Sequence, residues 1–104
     1  SVSVIGFANK NKDKLPFSVI DQVTRSSTSI GANYSEAQNA SSKADFKNKI
    51  YIAKKEASET RYWLRLIQKL IDNDTSTLGL LDESQQILMI LQKIVNTLNG
   101  KSDI

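Results

Sequence analysis

The 104-residue chain has no cysteine and no histidine. Without cysteine, neither a disulfide framework nor a thiolate metal site can form. Without histidine, the commonest general base at neutral pH and the commonest metal ligand are both missing. No apolar run reaches the roughly 18 residues of a membrane-spanning helix. Proline occurs once and glycine four times, so little interrupts regular structure. The composition leaves a single domain in a reducing, cytoplasmic setting, with no cofactor and no membrane partner expected. The opening stretch SVSVIGFANK has no basic region ahead of its apolar patch and is not a secretory signal as written. It also lacks an initiating Met, and a trimmed start is expected.

What is present is organised helically. Pro16 follows the polar run NKNKDKL and suits the first turn of a helix. Helices are expected at about 2–12, 16–38, 43–72 and 79–99. Ser41 or Ser42 can cap the third, and Asp45 sits in its first turn, where negative charge is favoured. DNDTSTLG reads as a loop of turn formers, and Asn99–Gly100 as a helix stop.

The periodicity is regular. On helix two, Ile20, Val23, Ser27, Ile30, Tyr34 and Ala37 recur at alternating steps of three and four. On helix three, Phe46, Ile50, Ala53, Ala57, Thr60, Leu64, Ile67 and Ile71 do the same. This spacing predicts an all-α, antiparallel, up-down-up-down four-helix bundle. Its core is expected to hold Ile20, Val23, Ile30, Tyr34, Phe46, Ile50, Ala53, Leu64, Ile67, Leu88, Leu91 and Leu98. Many seam residues are small, which lets helices two and three approach closely. Helix three carries a second stripe, Ile52, Trp63, Leu66 and Leu70, about 90° from the first. Helix four is apolar over about half its circumference. Such wide arcs belong either to the central helices of a monomer or to a subunit interface; the interface reading makes Ile52, Trp63, Leu66 and Leu70 its residues.

Several polar residues fall in or beside these apolar arcs: Glu56, Lys49 and Glu59 on helix three, and Arg25, Asn33 and Glu36 on helix two. A carboxylate in such a place is costly unless paired. A structural polar network among the six would satisfy it and set register. The alternative is catalytic: Glu56 and Glu59 form an E-x-x-E that could bind a divalent metal in a small all-α nucleotide hydrolase. That chemistry needs a second acidic cluster on the following helix, whose acids, Asp82 and Glu83, both fall at its start. A di-iron site of the Glu-x-x-His kind fails for lack of histidine.

The formal charge is only +3, but residues 42–71 carry eight basic residues against three acids, a net +5 that leaves −2 for the rest. Lys43, Lys47, Lys54, Arg61 and Arg65 fall within about 40° of one another on the helical wheel. Tyr51 and Tyr62 lie to one side. Such a run is ordinarily a solvated face; here no acid at i+3 or i+4 neutralises it. A polyanion, RNA or single-stranded nucleic acid above all, or an acidic protein partner is the ligand this pattern suits.

The segments SSTSIGANYSEAQNASSKADF and IAKKEASETRYWLRL closely resemble the bacterial four-helix-bundle proteins encoded within 23S rRNA intervening sequences. That broad family also includes accessory proteins of diversity-generating retroelements. The resemblance runs from about Gln22 to Leu66 and is weak outside it. Matching positions include Arg25, Asn33, Glu36, Asp45, Phe46, Lys49, Glu56, Glu59 and Trp63. Ala37 stands where one branch has glycine, and the first helix is shorter than the family's. The resemblance implies a closed, ring-like homopentamer without enzymatic activity. For the retroelement members it implies binding to nucleic acid and to a reverse transcriptase through a basic surface.

Overall fold

The computed structural model describes residues 2–71 and 75–100. Four helices, α1 (Val2–Lys10), α2 (Phe17–Gln38), α3 (Lys43–Leu70) and α4 (Thr75–Leu98), account for its regular structure, and no strand occurs among the described residues. None of the described helices is long and apolar enough to cross a membrane.

Local chemistry explains most of the boundaries. The Pro16 carbonyl accepts from Val19 N (3.1 Å) and Ile20 N (3.2 Å), opening α2 at a residue with no N–H to lose. Ser42 caps α3: its hydroxyl accepts from Asp45 N at 3.0 Å, and Asp45 lies in the first turn. After α4, Gly100 takes φ 71°, the left-handed conformation that closes a helix at low cost for glycine. α1 ends at Lys10, earlier than expected, and buried Asn11 folds its side-chain amide back onto the Phe7 carbonyl at 2.9 Å. α4 starts earlier than the loop reading had it. Thr75–Gly79 is its opening turn, because Thr77 and Leu80 are buried and packing outweighs the poor helix propensity of this stretch. Asp72–Asp74, the front of that expected loop, lies outside the described residues.

α3 is the central element. At 28 residues it runs about 42 Å, in keeping with the 44 Å long axis of the 44 × 30 × 17 Å molecule. α2 and α4 flank it, and no Cα of α2 comes within 8 Å of one of α4. α1 lies over the groove between those two, its backbone within 8 Å of both but not of α3. Along α2 and α3, Glu36 meets Lys49 while Arg25 meets Glu56 and Glu59, so residue numbers fall on one helix as they rise on the other.

The core has two parts. One gathers Val4, Phe7 and Ala8 of α1 with Val19, Val23, Leu64, Ile67 and Leu80. The other, where α1 does not reach, is built from three helices: Ala37, Ile50, Ala53, Ala57, Leu91 and Val95. Of the expected core, Val23, Ile50, Ala53, Leu64, Ile67 and Leu91 are buried, while Ile20, Ile30, Phe46, Leu88 and Leu98 are half-buried. Tyr34 is a correction: it is 41% exposed. It lines an open hollow of about 260 Å³ with Ile30, Gly31, Ile87, Ile90 and Leu91. α1 has only nine residues against the 22 of α2, and Tyr34 has no helix above it.

Candidate nucleic-acid interface

The two sides of α3 differ chemically. Toward α2 lie its three acids. Asp45 belongs to the N-terminal turn, and Glu56 and Glu59 converge on Arg25. The Arg25 guanidinium donates from Nη1 to Glu56 Oε2 at 3.1 Å, from Nη2 to Glu59 Oε2 at 2.9 Å and from Nε to Gln22 Oε1 at 3.3 Å. The hydrogen bond donated to Glu59 and then the charge of Glu56 hold this guanidinium protonated more firmly than an ordinary arginine. Glu56 is the deep member, its side chain 10% exposed, so the cation is what makes its burial tolerable.

The six residues expected to form one network divide. Arg25, Glu56 and Glu59 make the clamp. Lys49 and Glu36 form a separate, more solvated pair at 3.3 Å. Asn33 stands apart, donating its side-chain amide to the Ser29 carbonyl of its own helix at 2.9 Å. The geometry also bears on the metal reading of E-x-x-E: both carboxylates are turned to the same arginine. Among the described residues, no group of three or more Asp, Glu, His or Cys is placed to hold a metal ion.

The stripe Ile52, Trp63, Leu66 and Leu70 lies on the flank of α3 that looks toward α2. Trp63 and Leu66 pack against the α1-side core of their own chain, together with Ile20. Ile52 is half-buried, and Leu70 is 48% exposed. The largest open apolar side chains of α4 are Met89 and Ile90.

The opposite side of α3 carries the basic stripe. Lys43 and Arg65 are exposed at its ends; Lys47, Lys54 and Arg61 between them are half-buried rather than open. α4 packs beside this part of α3, and Asn99 at its end donates to the Tyr51 hydroxyl at 3.0 Å. Long basic side chains tolerate such flanking because the stem packs while the charged tip stays in water. Among the described residues, none of the five makes an ion pair. Lys55 and Lys69, both exposed, extend the same face. Their bearings, within about 80° of the stripe, were available from the helical wheel. Tyr51 lies under the Lys47 ammonium, 5.9 Å from its ring centre. Tyr62 is 59% exposed and meets the Trp63 ring nearly edge-on, with centroids 5.0 Å apart. The resulting surface is a cationic helix face with two tyrosine rings beside the stripe; the acid that borders it past Lys55, Glu59, is paired with Arg25.

Comparison with known proteins agrees with this architecture. A crystal structure of a protein with unknown function from the S23 ribosomal protein family of Bacteroides thetaiotaomicron superposes with a TM-score of 0.82. It shares 37% sequence identity over 90% of this chain and 89% of that one. No curated protein matches the chain. Residues 1–99 match the profile of the family described as 23S rRNA-intervening sequence protein. On that match, which takes in all four helices, the chain belongs to the 23S rRNA-intervening sequence protein family.

Proposed function

We propose that the protein is a non-enzymatic oligomeric adaptor that binds RNA through the basic face of α3, the alternative occupant of that face being a nucleic-acid-processing partner such as a reverse transcriptase. The observation that carries this reading is the segregation of charge on α3. Its acids lie toward α2, where Arg25 neutralises Glu56 and Glu59. Its unpaired cations lie on the other side. Cations with no internal carboxylate partner are free to displace the counterions of a polyanion, which is the main source of affinity for a phosphate backbone. The engagement of Glu56 and Glu59 by Arg25 speaks against the alternative of a metal-dependent nucleotide hydrolase.

The reading includes an up-down-up-down helix order and a ring of five copies in a cytoplasmic setting. A ring multiplies the basic face by its symmetry, and affinity for a long polyanion rises with every phosphate neutralised.

The test is a salt titration of RNA binding by the intact protein and by the double variant Lys43→Glu with Arg65→Glu. Both residues are exposed, so helicity and assembly should persist. The variant should bind more weakly, with a shallower dependence of log affinity on log salt, by about 0.7 for each lost contact to a single strand. An unchanged slope would place the binding surface elsewhere. Absence of binding by the unaltered protein at about 50 mM salt would end the proposal.

A further inference from the structure

Charge alone does not separate a duplex from a single strand, but the rings beside it do. We infer that this face is built for single-stranded nucleic acid, with Tyr62 as the ring on which an unpaired base stacks. The inference rests on the nucleic-acid reading above and adds the class of ligand.

Of the two tyrosines beside the stripe, Tyr51 is committed. Its hydroxyl accepts from Asn99, and Lys47 lies over its ring. Tyr62 is more than half exposed. Its neighbour Trp63, half-buried against the core, holds it through an edge contact at 5.0 Å. The tyrosine is thus steadied from below by a ring that is itself anchored, while much of its own surface stays in water. Apart from that edge contact, a ring so open on a helix has a face left for a ligand.

The cations around Tyr62 suit the same ligand. Lys55 and Lys69 lie one heptad before and after it, within about 20° of its bearing, and Arg65 follows within one turn. All three are exposed. Glu59, one turn before Tyr62, is already held by Arg25 at 2.9 Å, so a strand with a base on Tyr62 would meet uncompensated positive charge at Lys55 on one side and at Arg65 and Lys69 on the other. In a duplex the base faces are already stacked on one another, so the ring would find only edges and backbone. In a single strand every base offers a π face, and stacking on a protein ring is favourable for any base. Tyr51 and Tyr62 are about 16 Å apart along α3, too far to clasp one base between them. Tyr62 therefore acts as a single platform.

The measurement is fluorescence anisotropy with the full chain at about 50 mM salt. The probes are an unstructured RNA strand of about 16 nucleotides and the same strand annealed to its complement. The proteins are the unaltered chain, Tyr62→Ala, Tyr62→Phe, and Lys43→Glu with Arg65→Glu. The strand should bind more tightly than the duplex. Tyr62→Ala should weaken strand binding about tenfold and leave duplex binding within about twofold, whereas Tyr62→Phe, which keeps the ring, should bind like the unaltered chain. Equal binding of strand and duplex, or strand binding indifferent to Tyr62→Ala, would overturn the inference. In that event the charge-reversed double variant, weakened on both probes, would still uphold the basic-face reading. Failure of the unaltered chain to bind either probe would overturn both.

Discussion

The Thr60 and Ser26 hydroxyls meet 2.9 Å apart across the α2–α3 contact, with both residues almost wholly buried. Ser26 also reaches the Val23 carbonyl at 3.4 Å, and Thr60 the Glu56 carbonyl at 2.9 Å. Two small hydroxyl residues thus allow close approach of the helices and satisfy each other where water is excluded. Thr60→Val, which keeps the shape and removes the donor, should cost about 1 kcal/mol in urea denaturation. Ser26→Val, which adds bulk to a contact with no room, should cost about 1–3 kcal/mol. Equal stability of both variants with the unaltered protein would mean that the contact relaxes.

Arg25 serves two carboxylates of unequal burial. Its removal in Arg25→Ala leaves Glu56 buried without a cation, whereas Glu59→Ala leaves Arg25 and Glu56 paired. Thermal denaturation should therefore rank Arg25→Ala below Glu59→Ala. The double variant Arg25→Ala with Glu56→Gln should recover part of the loss, because it removes the stranded charge. The reverse ranking would show that the outer ion pair carries the stabilisation. The raised pKa of Arg25 has a definite sign. Stability linked to its protonation is fully present below the unfolded-state value and is lost only as pH rises through the higher folded-state value, so it is constant across the neutral range.

Trp63 is half-buried, and its indole N–H is shielded from solvent with no hydrogen-bond partner. Trp63→Phe removes that orphaned donor and keeps most of the apolar contact. Its urea midpoint should equal or exceed that of the unaltered protein. Trp63→Ala should lose up to about 3 kcal/mol through the cavity it leaves. A clear loss on Trp63→Phe would mean that the N–H has a partner in solution, such as a second subunit.

Assembly is separable from these effects. Sedimentation equilibrium at micromolar concentration should give the mass of five chains. Leu70→Glu, at a 48% exposed position, should lower that mass without reducing helicity. A monomer mass for the unaltered protein would remove the ring, and a Leu70→Glu protein that still assembles would move the interface to the open face of α4 around Met89 and Ile90.

What the sequence determined by itself was local and periodic. The three-four spacing of Ile50, Ala53, Ala57, Leu64 and Ile67 marks the face of α3 that is buried, because burial on a helix follows its turn. A serine at 41 or 42 with Asp45 after it announces a cap by local chemistry, and the structure makes Ser42 the one, through a bond three residues long. The cationic face of α3 follows from the same wheel. The tertiary structure alone decided which group lies opposite each face and how far along. Arg25 is the partner of Glu56 across 31 residues of chain, a pairing no local rule selects from among the other cations. Tyr34 has the seam spacing of a core residue yet stays open. Periodicity identifies an apolar face but says nothing about the length of the helix that must cover it, and α1 is too short to reach. Lys47, Lys54 and Arg61 look free on the wheel and are half-covered in the fold, because α4 packs along their flank of α3.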